Sequence, residues 1–430
     1  MEKLSFDQLQ EELFYEKLPN GLNVYILPKK GFNKTFATFT TKYGSVDNHF
    51  VPLGKQEFTK VPDGIAHFLE HKLFEKKDGD VFQQFSRQGA SANAFTSFTR
   101  TAYLFSSTSD VEKNLETLVD FVQDPYFSEK TVEKEKGIIG QEITMYDDNP
   151  DWRLYFGLID NLYKNHPVKI DIAGTIESIS HITPDLLYEC YNTFYHPSNM
   201  LLFIVGPVDP KAIMDQVRDN QAKKDYKDQP EIQRKFDEEP AEAAEKKRIL
   251  EMNVQTSKCL VGIKALHADQ SGEEMLKTEL TMNVLFDLLF GKSSENYDQL
   301  YNEGLIDETF SFDYTQEQGF GFAMIGGDTP EPNKLAEALE KMLLEAKNGK
   351  SFTDEQLERA KKKKIGAFLR SINSPEYIAN QFTRYAFNDM NLFEVVPTLE
   401  KITLKEVTSL AAEVISEERF SVCQVVPKKK

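Results

Sequence analysis

Cysteine, tryptophan and histidine are scarce in this sequence of 430 residues, which contains three cysteines, one tryptophan and seven histidines. Cys190, Cys259 and Cys423 are far apart and form no CxxC pair. The sequence therefore predicts buried free thiols in a reducing compartment and not a disulfide framework. The first residues lack the apolar core of a signal peptide, and no run of about 18 apolar residues is present to span a bilayer. We expect a cytoplasmic protein without a membrane anchor.

Positively charged residues are also fewer than negatively charged ones. The chain has 51 Lys and Arg against 69 Asp and Glu, which gives a formal net charge of -18. Such an acidic protein is a poor candidate for a nucleic-acid partner, because phosphates would be repelled. Hydrophobic residues make up 40% of the sequence, which is enough for real cores, and the length suits roughly two to four domains.

A charged stretch divides the sequence into two similar halves. Residues 223–248 contain two prolines and little apolar periodicity, which is typical of a linker. It would separate an N-terminal domain, 1–222, from a C-terminal domain, 249–430. The same landmarks follow in the same order in both halves, which indicates a diverged duplication. They are an alternating aromatic run (Phe95–Phe98 and Phe310–Phe312), a helix start (Phe127–Glu129 and Phe352–Asp354) and a helix followed by a strand (Ile182 to Phe203 and Ile402 to Cys423).

The order of the predicted elements gives the fold class. Each half is predicted to contain strands, a helix, more strands, further helices and a closing strand. Asn20-Gly21 lies between two apolar runs and is a strong signal for a β-hairpin. The fold class is therefore α+β, with two homologous domains that each form an antiparallel-rich sheet covered by helices.

Residues 64–74, GIAHFLEHKLF, carry two histidines four positions apart. On a helix, His67, Glu70 and His71 share one face, and an apolar stripe occupies the opposite one. Imidazoles at positions i and i+4 can hold one Zn²⁺, and a glutamate beside them can act on water. The alternative is a surface helix whose histidines and glutamate are only solvated.

A catalytic zinc site needs a third protein ligand. Glu135 and Glu142 lie seven positions apart, which puts them on the same face of a helix that Ser128 could cap. Either glutamate could instead be a charge that faces solvent. In the second half, the helix that takes the place of the HFLEH helix, residues 282–290, has no His/Glu pair, so we expect the metal in the first half alone.

The segment His67-Phe68-Leu69-Glu70-His71, followed by Glu135 and Glu142, resembles the inverted-motif zinc peptidases of the insulinase, pitrilysin and mitochondrial-processing-peptidase family, and most of all their half-length bacterial members. The resemblance implies the processing-peptidase-like (LuxS-like) metallopeptidase fold and one Zn²⁺ in the catalytic domain, held by His67, His71 and Glu142. It also implies that Glu70 is the general base and that Glu135 supports a zinc-bound histidine. The gap between His71 and Glu142 is slightly shorter than is usual in the family, which a shorter loop would explain.

Residues 89–98 begin with small side chains and continue with an alternating pattern. An edge strand of this kind can bind an extended peptide as an added β-strand. In the family this segment binds the substrate, and by resemblance Asn93 and Ala94 would touch it. The alternative is an ordinary small-residue loop that leads into a core strand.

Arg370 and Tyr377 lie seven positions apart on either side of Ser374-Pro375, which is a cap and first-turn pair that predicts a new helix. In the family, an arginine and a tyrosine with this spacing face the zinc across a closed chamber. They could donate hydrogen bonds to a carbonyl oxygen as it becomes negative. The alternative is an arginine in a surface ion pair and a tyrosine in a core.

The resemblance implies a zinc metalloendopeptidase that hydrolyses short unfolded peptides in a chamber formed by a dimer. Because the chain has two domains where full-length relatives have four, Arg370 and Tyr377 would come from a partner subunit, either a second copy or a zinc-less paralogue. Two other functions stay open. One is a non-catalytic scaffold subunit, and the other is a peptide-maturation subunit that cuts one dedicated peptide together with its partner.

Overall fold

The computed structural model describes residues 1–77 and 79–428. The chain packs as two compact units, and neither unit is one continuous segment. The first unit comprises Met1–Ile143, Asp171–Phe236 and Ser371–Phe387. The second comprises Thr144–Ile170, Asp237–Arg370 and the chain from Asn388 onward.

The helices and strands are numbered along the chain. The strands are β1 Glu2–Phe6, β2 Glu11–Lys17, β3 Asn23–Pro28, β4 Thr35–Thr41, β5 His49–Phe50, β6 Thr59–Lys60, β7 Glu75–Lys76, β8 Gly79–Asp80, β9 Ala90–Thr96, β10 Thr101–Ser107, β11 Met200–Gly206, β12 Lys247–Met252, β13 Ser257–Lys264, β14 Ser311–Glu317, β15 Phe320–Thr329 and β16 Phe420–Pro427. The helices are α1 Ile65–Leu73, α2 Val81–Arg87, α3 Val111–Val122, α4 Glu129–Asp147, α5 Pro150–Leu162, α6 Ile176–Ser180, α7 Pro184–Phe194, α8 Pro210–Ala222, α9 Gly272–Phe290, α10 Glu295–Asn302, α11 Pro332–Lys347, α12 Asp354–Ser371, α13 Pro375–Phe387, α14 Val395–Lys401 and α15 Leu404–Val414.

The first unit is built on a seven-stranded sheet with the strand order β1-β2-β3-β11-β4-β10-β9. The pair β3 and β11 is parallel, and the other neighbouring strands are antiparallel. The hairpin predicted at Asn20-Gly21 is confirmed, because it joins the antiparallel strands β2 and β3. Gly21 has a φ of 88°, and the Asn20 side chain accepts a hydrogen bond from the Leu22 N–H at 3.2 Å.

Strand β9 forms one edge of this sheet, as the sequence predicts. The strand starts earlier than the aromatic alternation suggests, so that the small residues from Ala90 onward lie within it. It also ends earlier, at Thr96, because a turn begins at Ser97. The Ser97 N–H donates to the Arg100 carbonyl oxygen at 2.8 Å, and this turn leads into β10.

The second unit repeats the arrangement of the first. Its five-stranded sheet has the order β12-β16-β13-β15-β14, which corresponds strand by strand to β3-β11-β4-β10-β9. The pair β12 and β16 is parallel, as is the corresponding pair β3 and β11 of the first sheet. The predicted α+β fold with two homologous, antiparallel-rich sheets is therefore confirmed.

One helix of each sequence half packs on the sheet of the other half. In the first unit α13 contacts β4 and β11, and the Phe382 ring lies 4.8 Å from that of Tyr25 and 4.7 Å from that of Phe203. In the second unit α5 contacts β13 and β16, where Leu158 packs closely on Gly262. The units therefore differ from the contiguous domains predicted at 1–222 and 249–430, because the apolar faces of α5 and α13 are buried on these sheets.

The predicted linker, 223–248, has no helix, and only its last two residues enter a strand, β12. It is nevertheless held in place. The Arg234 guanidinium donates to the buried Asp47 carboxylate at 2.6 Å and to the Lys42 carbonyl oxygen at 2.6 Å in the first unit. In the second unit the Lys264 ammonium binds the Glu239 carboxylate at 2.5 Å. The boundary between the units falls between these two anchors.

The cysteines are free and buried, as predicted. Burial raises the pKa of the Cys190 thiol to about 12, so this thiol stays protonated at neutral pH and is a poor nucleophile. In the part of the chain that the structure describes, no helix combines the length and the apolar character needed to cross a membrane.

Candidate metal centre

Helix α1 carries the HFLEH segment, and its start is fixed by close backbone packing. Gly64 precedes the helix with a φ of 87°, and a Cβ at this position would lie 2.4 Å from the Ala173 carbonyl oxygen. Only glycine fits both this conformation and this approach. The Ser178 hydroxyl donates to the Asp63 carbonyl oxygen at 2.8 Å, which ties the loop before α1 to helix α6.

Both faces of α1 are buried, and not the apolar face alone. His67 and Glu70 are each 8% exposed, and Phe68 and Leu69 are fully buried. The reason is that α1 contacts β9, β10 and α7. Of the three polar residues that the sequence places on one face, His71 alone is half-buried.

Helix α4 supplies the glutamates and begins directly after Ser128, as predicted. The Ser128 hydroxyl accepts a hydrogen bond from the Thr131 N–H at 3.4 Å. Val132, Glu135, Ile139 and Ile143 form the buried stripe of the helix, so Glu135 occupies a core position. Glu142 is half-buried.

The structure brings His67, His71 and Glu142 together, with one nitrogen or oxygen of each within 4.8 Å of the others. His67 Nε2 lies 3.8 Å from Glu142 Oε1, and His71 Nε2 lies 3.6 Å from Glu142 Oε2. These separations are too long for hydrogen bonds. They are close to the roughly 3.3 Å expected between two ligands of a tetrahedral zinc ion, so the donor set fits zinc.

Glu135 contacts His71 at Nδ1, the ring nitrogen other than the one near Glu142. His71 Nδ1 lies 3.1 Å from Glu135 Oε1, so a proton on Nδ1 leaves the Nε2 lone pair available to a metal. Burial raises the pKa of Glu135, but the hydrogen bond and the charge of His71 outweigh burial, and the net shift is downward. By contrast, His67 Nδ1 is buried without a hydrogen-bond partner.

Glu70 is not part of the cluster formed by His67, His71 and Glu142 but lies beside it. In the sequence it falls between the two histidines. Its Oε2 accepts a hydrogen bond from the Thr96 hydroxyl at 2.7 Å. Burial raises the pKa of the Glu70 carboxyl to about 7, and Glu142 adds to the rise, whereas Thr96 and His71 oppose it. A carboxyl group with a pKa near 7 is suited to take up and release a proton at neutral pH.

Thr96 is the functional candidate that the sequence did not reveal. The residue belongs to the alternating run that predicts the strand, but no motif marks it. The signal in the sequence is weak: a threonine three positions after Asn93, at the point where the edge strand ends.

The predicted substrate-binding residues lie on the edge strand. Asn93 is exposed and Ala94 is half-buried on β9, opposite Leu104 and Tyr103 of β10. The Ala94 N–H donates to the Asn93 side chain at 2.9 Å. The contact of these two residues with a substrate stays a prediction.

Arg370 and Tyr377 fall on different helices and in different units. Arg370 is exposed near the end of α12 and belongs to the second unit. Tyr377 is half-buried in the first turn of α13 and belongs to the first unit, and its N–H donates to the Ser374 hydroxyl at 3.3 Å. The start of a new helix after Ser374 is confirmed, and the role of the two side chains stays a prediction.

The second unit lacks the ligands at the matching helical positions. Glu135 and Glu142 are six and thirteen residues into α4, and the same positions of α12 are Ala360 and Ala367. Within residues 1–77 and 79–428, the group of His67, His71 and Glu142 is the one cluster of His, Cys, Asp or Glu that could hold a metal.

Comparisons with known proteins identify the family to which this fold belongs. Residues 50–176 match the family model described as Insulinase (Peptidase family M16), and residues 181–364 match the one described as Peptidase M16 inactive domain. The chain belongs to the M16 peptidase family and is of its half-length type.

Individual relatives span nearly the whole chain. The uncharacterized zinc protease YmfH of Bacillus subtilis is 70% identical over 425 residues, which is 99% of both chains. An M16-like peptidase from Alicyclobacillus acidocaldarius has a TM-score of 0.93 at 40% identity, over 97% of this chain and 99% of its own. Pitrilysin has a TM-score of 0.77 at 15% identity, which shows the shared fold alone. All of this chain corresponds to 47% of pitrilysin.

Proposed function

We propose that this protein is a zinc-dependent endopeptidase that hydrolyses short unfolded peptides in the cytoplasm. The observation that carries the proposal is the convergence of His67, His71 and Glu142, with the buried Glu70 carboxyl beside them. The relatives named zinc proteases support the same chemistry. Extended peptides suit the edge strand β9, because an added strand is recognised through its backbone and needs an unfolded segment.

Each residue in and around the cluster would have a separate role. His67 and His71, through Nε2, and Glu142, through its carboxylate, would hold the zinc. When bound, zinc lowers the pKa of a coordinated water to about 7 and polarises a peptide carbonyl. Glu135 keeps the proton on His71 Nδ1 and so fixes the ring. Glu70 accepts a proton from the attacking water and passes it to the amine of the leaving peptide.

Other residues would bind and orient the peptide. Asn93 and Ala94 on β9 would hold it as an added strand. Arg370 and Tyr377 would donate hydrogen bonds to the carbonyl oxygen as it gains negative charge, which is most effective where water is excluded.

The test is cleavage of a mixed library of short peptides by the purified protein alone. We expect new peptide termini by mass spectrometry, their loss after treatment with a zinc chelator, and their return when zinc is added, because the metal supplies the activation. An intact folded protein of similar composition serves as the control and should stay uncut. Absence of cleavage by zinc-loaded protein would contradict the proposal, and cleavage only after a zinc-less relative is added would favour the maturation subunit.

We also propose that the active form is a dimer in which Arg370 and Tyr377 act on the zinc of the other subunit. The chain corresponds to about half of pitrilysin, so two copies would match the longer enzyme in size. In a symmetric dimer each site would then combine Glu70 of one subunit with Arg370 and Tyr377 of the other.

The dimer proposal predicts complementation between two inactive variants. Glu70→Gln protein mixed with Arg370→Ala, Tyr377→Ala protein gives mixed dimers with one complete site. For equal amounts that exchange freely, we expect about a quarter of the wild-type activity. Native mass spectrometry checks that mixed dimers form, and each variant alone is the control. Mixed dimers without activity would show that the residues do not act across subunits.

A further inference from the structure

The Glu70 carboxyl is held by one side chain. Among the residues that the structure describes, the Thr96 hydroxyl is the single hydrogen-bond donor to the Glu70 carboxyl, and it binds Oε2 at 2.7 Å. A buried carboxylate that accepts one hydrogen bond uses one of its two oxygens for it. The other oxygen, Oε1, has no such partner and is left to accept a proton.

The direction of the Thr96 hydroxyl is fixed by its neighbours. Thr101 lies directly opposite Thr96 on β10, and its hydroxyl donates to the Tyr43 carbonyl oxygen at 2.9 Å. The two threonine oxygens lie 3.3 Å apart. Each hydroxyl has one proton, and because that of Thr101 is used on Tyr43, Thr101 could only accept from Thr96. The Thr96 proton points instead at the Glu70 oxygen, which is nearer, at 2.7 Å, and belongs to a carboxylate.

Thr96 is also the last residue of the edge strand. Asn93 and Ala94 lie on the same seven-residue strand, so a peptide added to β9 would be in fixed register with the Thr96 hydroxyl. The hydrogen bond from Thr96 to Glu70 therefore fixes the position of the Glu70 carboxyl relative to the bound peptide as well as relative to helix α1.

We infer that Thr96 is a positioning residue, which holds the Glu70 carboxyl in its working orientation and ties that orientation to the peptide-binding strand. The inference rests on the proposed peptidase function. In this role Thr96 acts through Glu70, to which its hydroxyl donates.

The test compares two substitutions of the same side chain. Thr96→Val keeps the shape and removes the hydroxyl, whereas Thr96→Ser keeps the hydroxyl. With a peptide that the wild-type protein cleaves, we expect Thr96→Val to lower kcat about 10- to 100-fold, because a hydrogen bond to a charged group is lost. KM should change by less than about twofold, and Thr96→Ser should restore kcat to within about threefold of wild type.

Thr315→Val is a matched control. Thr315 lies on β14, the edge strand of the second sheet, and its hydroxyl also donates to a carboxylate, that of Asp313, at 3.0 Å. The same chemical change at this position should leave kcat unaltered. An unchanged kcat in Thr96→Val, an equal loss in Thr96→Ser, or a loss confined to KM would each overturn the inference.

A second readout does not depend on activity. In crystal structures of the two variants, Glu70 should leave its wild-type position in Thr96→Val and keep it in Thr96→Ser. If Glu70 stays in place in Thr96→Val, the inference is wrong whether or not the protein cleaves peptides. If the wild-type protein cleaves nothing while Glu70 moves as expected, the proposed function fails and the positioning contact stands.

Discussion

Substitution of Glu70 by glutamine is expected to lower kcat by a factor of about 10² to 10⁴, the usual effect of removing a general base. Glutamine has nearly the same shape and can still accept a hydrogen bond from Thr96, but it cannot take up a proton at neutral pH. Because Glu70 lies outside the group of His67, His71 and Glu142, the zinc content should stay at the wild-type level.

The measurement is steady-state kinetics on a peptide found in the library, together with elemental analysis and a thermal unfolding curve. Glu112→Gln is a suitable control, since Glu112 is an exposed glutamate of the first unit and its substitution makes the same change in charge. Wild-type rates in Glu70→Gln would show that another group accepts the proton. Loss of zinc in this variant would instead place Glu70 among the ligands.

The second large effect is expected from the histidines. The double substitution His67→Ala, His71→Ala removes two of the three proposed ligands, so zinc should fall from about one ion per chain to a trace, and hydrolysis should fall with it. Elemental analysis of protein purified without added metal measures this directly.

The control for the histidine variant is His181→Ala, because His181 is exposed and lies outside the cluster. Since His71 also contacts the buried Glu135 at 3.1 Å, circular dichroism should confirm that the double variant is folded. Zinc that remains at one ion per chain in the folded double variant would mean that the metal is bound elsewhere.

The candidate centre could be predicted from the sequence where its geometry is local. Residues four or seven apart on one helix must share a face, so the pairs His67 with His71 and Glu135 with Glu142 follow from spacing alone. The position of β9 at a sheet edge, and the hairpin at Asn20-Gly21, likewise follow from short-range patterns.

Contacts between distant segments could not be predicted in this way. The hydrogen bond from Thr96 to Glu70 joins a strand end to a helix, and the sequence of neither segment indicates that the two are in contact. The apolar face of α5 predicts that the helix is buried, but not that β13 and β16 cover it. The guanidinium of Arg234 similarly fixes a segment whose composition suggests a loose linker.

The packing of α13 on the first sheet has a consequence for the order in which the protein can fold during synthesis. The strands and other helices of the first unit are complete when residue 236 has been made, but Phe382, which covers Tyr25 and Phe203, follows much later. At typical synthesis rates the delay between residues 236 and 387 is roughly 8 to 30 s. During that interval helix α13 does not yet cover the apolar surface of β4 and β11. The first unit, which carries His67, His71 and Glu142, is therefore completed late, although most of it is encoded first.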